Sequence, residues 1–135
     1  MFKTENRVGR LIELRIQSPV SEDEVQQIQA RQLELVRRLG ERFVAVTDLR
    51  RAIVFPPQVT DQFIALMQRA NPMLERSGVL IADSAVLGLQ AERAMREGGH
   101  DHRQAFRDPA KLEAWLGEVL TVDERSRLRA FLHET

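Results

Sequence analysis

Two short runs of consecutive apolar residues, Phe43-Val44-Ala45-Val46 and Val79-Leu80-Ile81-Ala82, constrain this chain more than any other feature. A strand with one wet face alternates apolar and polar residues. An unbroken apolar run, partly β-branched and bounded by Gly40 and Asp48 or opened by Gly78, belongs to a strand covered on both faces. Such cover requires helices, and the flanking sequence supplies them. Between Ser21 and Leu39 the residues Val25, Ile28, Gln32, Leu35 and Leu39 recur at helical spacing, with Leu33 and Val36 widening the stripe. Ser21 and Glu24 form a capping box at the start of this helix, and Gly40 suits its end. A second helix is predicted from Pro57 to about Ala70, with Val59, Phe63, Leu66, Met67 and Ala70 on one stripe, and Asn71–Pro72 stops it. Asp83–Ser84 opens a third, through Leu87, Ala91, Ala94 and Met95, which Gly98–Gly99 ends.

The ends of the chain complete the pattern. Over Val8 to Ile16, alternation places Arg10, Ile12, Leu14 and Ile16 on one face, which predicts a half-buried strand. Phe2 to Glu5 can join it as a hairpin arm around Asn6–Arg7. Arg103 to Arg107 reads as a short edge strand. Asp108 is a helix N-cap and Pro109 a first helical residue, ahead of Leu112, Trp115, Leu116 and Val119. Thr121 and Glu124 make a second capping box, followed by Leu128, Phe131 and Leu132. Strands alternating with helices predict crossover units and a small, largely parallel sheet of four to five strands with helices packed on it. With 135 residues, no internal repeat and no linker, the chain reads as one α/β domain over 1–135, a core over 1–120 and a C-terminal helical extension over 121–135.

Composition removes several functions. There is no cysteine, which excludes disulfides, thiolate nucleophiles and cysteine-held metal clusters. Lys plus Arg is 20 and Asp plus Glu is 20, so the whole chain has no net-charge grip on nucleic acid or anionic lipid. Arg37, Arg38, Arg42, Arg50 and Arg51 make the middle locally basic, but aromatics for base stacking are not interleaved with them. No segment approaches the ~20 apolar residues of a membrane helix, and Met1 to Arg10 has no apolar run of signal-peptide length. The expectation is a cytoplasmic protein with no integral membrane segment and no nucleic-acid partner. No Gly-x-Gly-x-x-Gly, Walker, His-Glu-x-x-His or calcium-loop pattern occurs.

The element order, the aspartate-bearing strand Phe43-Val44-Ala45-Val46-Thr47-Asp48-Leu49, the run Val79 to Ala82, and the closing segment Ala105 to Leu116 together resemble the STAS-like fold of bacterial anti-sigma-factor antagonists, and in particular its SpoIIAA-like members. The resemblance covers about Arg7 to Leu120 and is mainly one of topology. It implies a non-catalytic regulatory or adaptor module that acts through protein contacts around the segment after the aspartate-bearing strand. Phosphorylation-switched members of that group carry a serine-containing turn there. This chain has Ile53-Val54-Phe55-Pro56-Pro57-Gln58-Val59-Thr60 instead, with no serine, so the phosphoserine switch is not expected.

Two sets of candidate residues follow. Asp48, Arg50 and Arg51 come after one predicted parallel strand, and Asp83 and Ser84 after the next. Ligands of open α/β sheets sit beyond the carboxyl ends of strands, so these five can form a site for an anion or a lipid. The competing reading makes Asp48 and Ser84 backbone caps and the arginines solvated. Arg50, Arg51, Gln58, Thr60 and Asp61 are the candidate partner-binding residues. His100 and His102, two apart on an extended segment, can face one metal ion, but no third ligand accompanies them. The expectation includes no catalytic residue, no metal and no cofactor. A protein partner is expected, and homodimerisation through an uncovered edge strand stays open. The alternative is small-ligand binding at the strand ends.

Overall fold

Successive residues of the two apolar runs serve opposite layers of the molecule. The structure, a computed structural model, describes residues 1–134, and Thr135, the last residue of the expected extension, lies outside them. Its strands are β1 (Phe2–Val8), β2 (Leu11–Gln17), β3 (Phe43–Arg51), β4 (Leu74–Ile81) and β5 (Arg103–Phe106). Its helices are α1 (Glu22–Leu39), α2 (Pro57–Ala70), α3 (Ala85–Gly98), α4 (Pro109–Gly117) and α5 (Val122–His133). The five strands form one sheet in the order β1-β2-β3-β4-β5. β1 runs antiparallel to β2, and β2 through β5 are parallel. The fold is therefore α/β with a mixed, mostly parallel sheet.

Because each parallel crossover steps the same way along the sheet, a constant handedness puts α1, α2 and α3 on one face. There Val25 and Ile28 of α1, Val59 and Leu66 of α2, and Leu87 and Ala91 of α3 pack with Ile16, Val79 and Ile81. Helices α4 and α5 cover the other face, where Leu112, Leu116, Leu128, Phe131 and Leu132 pack with Leu11, Val44, Val46 and Leu80. Val79 and Ile81 thus look one way and Leu80 the other, which is why the run admits no polar residue. Gly78 faces α4, and a Cβ there would lie 3.1 Å from Leu112 Cγ and 3.2 Å from a Leu116 methyl. Its absence lets the helix sit close.

Three boundaries and the burial of one strand differ from the sequence reading. The hairpin turns at Gly9–Arg10, not at Asn6–Arg7. Gly9 supplies the positive φ of 55° that the turn needs, and Asn6 stays in β1, donating its amide to the carbonyls of Gly9 and Leu11. β2 is not half-buried: Leu11, Ile12 and Glu13 are all nearly inaccessible, because α5 covers the second face. β3 continues through Asp48 to Arg51, since the Arg15–Asp48, Gln17–Arg51 and Leu49–Ile81 pairs extend its ladders. β4 begins at Leu74, four residues before the expected Gly78, with Arg76 stacked on the Trp115 ring at 4.7 Å. The two capping boxes, Ser21/Glu24 and Thr121/Glu124, form as read. Among the described residues no helix is long and apolar enough to cross a membrane.

Candidate functional site

Asp48 lies inside β3, directly across from Arg15 of β2, on the face covered by α5. Its Oδ2 accepts from Arg15 Nη1 at 2.7 Å and Arg50 Nη2 at 2.9 Å, and its Oδ1 accepts from Arg50 Nε and the Arg50 amide, each at 3.0 Å. Both oxygens are therefore fully engaged. Burial pushes the Asp48 carboxyl up, but the Arg50 hydrogen bonds and the charges of Arg50 and Arg15 outweigh it, so the group sits below the usual aspartate value. The same two arginines cap a helix. Arg15 Nη2 donates to the carbonyl of Phe131 at 2.6 Å and Arg50 Nη2 to that of Leu132 at 2.9 Å. These are last-turn carbonyls of α5, where helical partners run out; that of Phe131 also accepts from the Glu134 amide at 3.3 Å. The Arg15 guanidinium also stacks 4.0 Å above the Phe131 ring.

This cluster borders an open cleft of about 480 Å³ lined by Phe2, Lys3, Arg15, Asp48, Arg50 and Arg51, among others. Three of the five expected ligand residues, Asp48, Arg50 and Arg51, meet there. Asp83 and Ser84 do not. The reason is topological: Asp48 and Arg50 point to the α4–α5 layer, whereas Ser84 begins α3 on the opposite face. Ser84 accepts from the Leu87 amide at 3.3 Å as an N-cap. Asp83 is fully exposed, 3.8 Å from Arg107. The capping reading offered for Ser84 holds, and Asp48 acts as the acceptor of a guanidinium clamp. Arg15, which supplies one of the four hydrogen bonds to Asp48, is not among the expected site residues, because its role depends on a register invisible in single-strand alternation.

The expected partner segment divides in the same way. Gln58 is exposed, and Asp61 is exposed with an ion pair to Arg93 at 2.9 Å. Arg51 is exposed and has no ion pair among the described residues. Thr60 is the correction: it is 5% exposed, because the first turn of α2 aims it at the sheet. It cannot meet a partner directly. Arg50, tied into the Asp48 clamp, is only partly available.

What the sequence reading passed over lies just before that helix. Ile53 and Val54 are 70% and 50% exposed, and on neighbouring α3 Val86 and Leu89 are 53% and 67% exposed. The two elements are bolted together, since Gln90 Oε1 accepts from the Phe55 amide and Gln90 Nε2 donates to the Phe55 carbonyl at 2.9 Å. On the other side the Ile53 amide donates to Ser18 Oγ at 2.9 Å, while Ala52 and Phe55 are buried. The loop is thus anchored at both ends and holds its aliphatic side chains out. Their hydrophobicity was visible, but which of four apolar residues in Ala52 to Phe55 face water was not.

The histidine pair does not converge on an open point. His100 Nδ1 accepts from the His102 amide at 3.0 Å, which leaves Nε2 as the protonated nitrogen, 3.1 Å from the Leu74 carbonyl. Both ring nitrogens are spent, and among the described residues no cluster of three or more metal-binding side chains occurs. The C-terminal helix, whose apolar face required cover, finds it on the parent sheet: Leu128, Phe131 and Leu132 are at most 2% exposed. The chain matches no protein-family model, no curated protein and no solved structure.

Proposed function

We propose that this protein is a non-catalytic regulatory or adaptor module of STAS-like type that docks a protein partner on the apolar surface formed by Ile53, Val54, Val86 and Leu89. The observation that carries the reading is the collection of four exposed aliphatic side chains on two bolted elements at the carboxyl edge of the sheet. Exposed aliphatic side chains grouped on two neighbouring elements are costly in water, and such groups mark interaction sites. A loop already fixed by Ser18 and Gln90 loses little further freedom on binding, which favours association. The STAS-like assignment is supported by the element order, a hairpin followed by three helix–strand units and two closing helices. Arg51, exposed next to the loop, supplies a rim charge for an acidic partner surface. The saturated Asp48 clamp and the spent His100 nitrogens favour binding over catalysis, because neither leaves a polar group poised for proton transfer.

The test is affinity capture from the native cells with wild type, Ile53→Glu, Leu89→Glu and, as a control on the opposite layer, Val122→Glu. A protein retained by wild type and Val122→Glu but lost by the other two supports the reading. Retention by all four refutes the surface. Charge reversal should be applied to Arg51 alone, since Arg50→Glu would break the clamp on α5.

A further inference from the structure

Opposite charges stand at the two ends of the exposed aliphatic group. Arg51 lies toward β2: it is paired with Gln17 in the β2–β3 ladder, and Ile53, two residues on, donates its amide to Ser18 Oγ. Asp83 lies toward β5, 3.8 Å from Arg107, the residue after that strand. Between these ends come Ile53 and Val54, the Phe55–Gln90 hydrogen bonds, and Val86 and Leu89 on α3. Arg51 is exposed and has no ion pair among the described residues. Asp83 is fully exposed, and the long contact to Arg107 is its one ion pair among them. A cation at one end and an anion at the other are thus both available to a partner.

Such a surface is complementary to itself. A two-fold axis through its middle lays Ile53 and Val54 of one copy on Val86 and Leu89 of the other, and it brings each Arg51 to the Asp83 of the second copy. A closed two-fold interface asks for this reciprocity, residue i on j and j on i. Net charge permits it as well. Lys plus Arg and Asp plus Glu are 20 each, so two copies meet without overall repulsion. The other route to a dimer, through a free sheet edge, is blunted. β1 carries Lys3, Glu5 and Arg7 at alternate positions and an irregular register between Glu5 and Val8, and β5 has four residues. Edge charges, bulges and short edge strands all oppose edge-to-edge pairing.

From the opposite charges at the ends of this aliphatic group, we infer that its occupant is a second copy of this chain, in a two-fold dimer that sets Ile53 and Val54 against Val86 and Leu89 and closes with reciprocal Arg51–Asp83 pairs. The inference rests on the docking surface proposed above and names its partner. Four aliphatic side chains per copy make a small interface, so Kd should be on the order of 100 μM, weaker than the micromolar or tighter values of interfaces of about 1,600 Å².

Sedimentation equilibrium over about 10 μM to 1 mM tests this, a range that brackets the expected Kd. Wild type and the opposite-layer control Val122→Glu should pass from monomer to dimer across it. Ile53→Glu and Leu89→Glu should each weaken dimerisation at least about 10-fold, because each puts a charge into an apolar contact twice per dimer. Arg51→Glu and Asp83→Lys should each weaken it about 10-fold, since either turns two attractive rim pairs into two repulsive ones. The decisive sample is an equimolar mixture of those last two variants. Each supplies the charge that the other lacks, so the mixture should dimerise within about 3-fold of wild type. Misfolding cannot imitate that rescue, and urea unfolding at about 5 μM, where the chain is monomeric, checks each variant alone. Wild type that stays monomeric to about 1 mM, a dimer that survives Ile53→Glu or Leu89→Glu, or charge variants whose mixture gives no rescue overturns the inference. The docking surface is judged apart from it: with wild type monomeric, a different protein captured by wild type and lost by Ile53→Glu leaves the surface standing and removes the second copy as its occupant.

Discussion

Replacing Arg127 by methionine should cost this protein a large part of its stability. Arg127 of α5 reaches Glu13 of β2 in a two-pronged pair, Nε to Oε2 at 2.8 Å and Nη2 to Oε1 at 2.7 Å. The side chains are 13% and 4% exposed, so this is a buried pair rather than a surface one. The Glu13 hydrogen bond is the main reason the Arg127 guanidinium holds its proton more tightly than an ordinary arginine. Removing one member of such a pair strands the other charge and costs about 3–5 kcal/mol. An unfolding entropy of ~2.1 cal/mol/K per residue over the 135 residues gives ~0.28 kcal/mol per degree. Arg127→Met should then lower Tm by about 11–18 °C. Calorimetry and urea unfolding measure it. The reasoning makes a second demand: Glu13→Leu combined with Arg127→Met should recover most of the loss, because matched apolar residues replace a buried pair at little cost. A single variant within about 1 kcal/mol of wild type would mean that the pair is effectively solvated. A double variant as unstable as the single would mean that packing by the arginine stem, and not the stranded carboxylate, sets the cost.

Arg50→Glu should destabilise by about 2–3 kcal/mol, since it strips hydrogen bonds from Asp48 and the α5 carboxyl end, whereas exposed Arg51→Glu should stay within about 0.5 kcal/mol in the same urea assay. Ile53→Glu and Leu89→Glu should likewise unfold within about 0.5 kcal/mol of wild type; a cooperative loss of stability in either would show that the side chain packs in solution. Gly9→Ala should cost at least about 1 kcal/mol, because residue 9 holds a positive φ and a Cβ there meets the buried Glu124 carboxylate. Asp48, Glu75, Glu124 and Glu134 all have depressed values in the folded state. Their contribution is complete above the ordinary carboxylate range and lost as pH falls through the folded values, so stability should be level near neutrality and fall from about pH 4.5 downward; a chain equally stable at pH 3 and pH 7 would contradict this.

Fold and site were not equally legible in the sequence. Apolar runs, helical stripes and capping boxes are local signals, and they located the five α-helices and the central strands β3 and β4. The missed boundaries share a cause. β4 begins with Leu74, Glu75 and Arg76, and β3 continues through Asp48 and Arg50, charged residues that look like loop until their partners on other elements are known. Arg76 is accommodated by the Trp115 ring, and Asp48 by arginines from β2 and its own strand. The expected site failed for a related reason. Asp48 and Ser84 follow the same strand-end rule, but Asp48 stays inside β3 and faces α4 and α5, whereas the chain leaves β4 after Ile81 and Ser84 caps α3 on the other side of the sheet. The length of β3 and the path of the crossover decide this, and neither is written in the local pattern of one sequence.

The two faces of the sheet differ in how fully their buried polar groups are used, and this bears on where function lies. On the α4–α5 face, Glu13, Asp48 and Glu124 are buried acids, and each is met in full: Glu13 by Arg127, Asp48 by Arg15 and Arg50, and Glu124 by the amides of Arg10 and Thr121. Among the described residues no buried polar side-chain atom on that side lacks a partner, and the network reads as the fastening of α5. On the α1–α3 face the balance is reversed. The buried polar side-chain atoms without a partner among the described residues are Thr4 Oγ1, Thr60 Oγ1 and Gln62 Oε1. Thr60 and Gln62 belong to α2, and Thr4 sits opposite Leu14 in the ladder, which turns it toward the same layer. Arg103, whose hydrogen bonds among the described residues go to neutral acceptors at the end of α2, is there as well. An unused hydrogen bond in a protein interior costs free energy, and a fold that satisfies one face completely shows that this sequence can avoid the cost. Its occurrence on the other face, the face that carries α2 and α3, is the physical argument for seeking ligand and partner on the α1–α3 side.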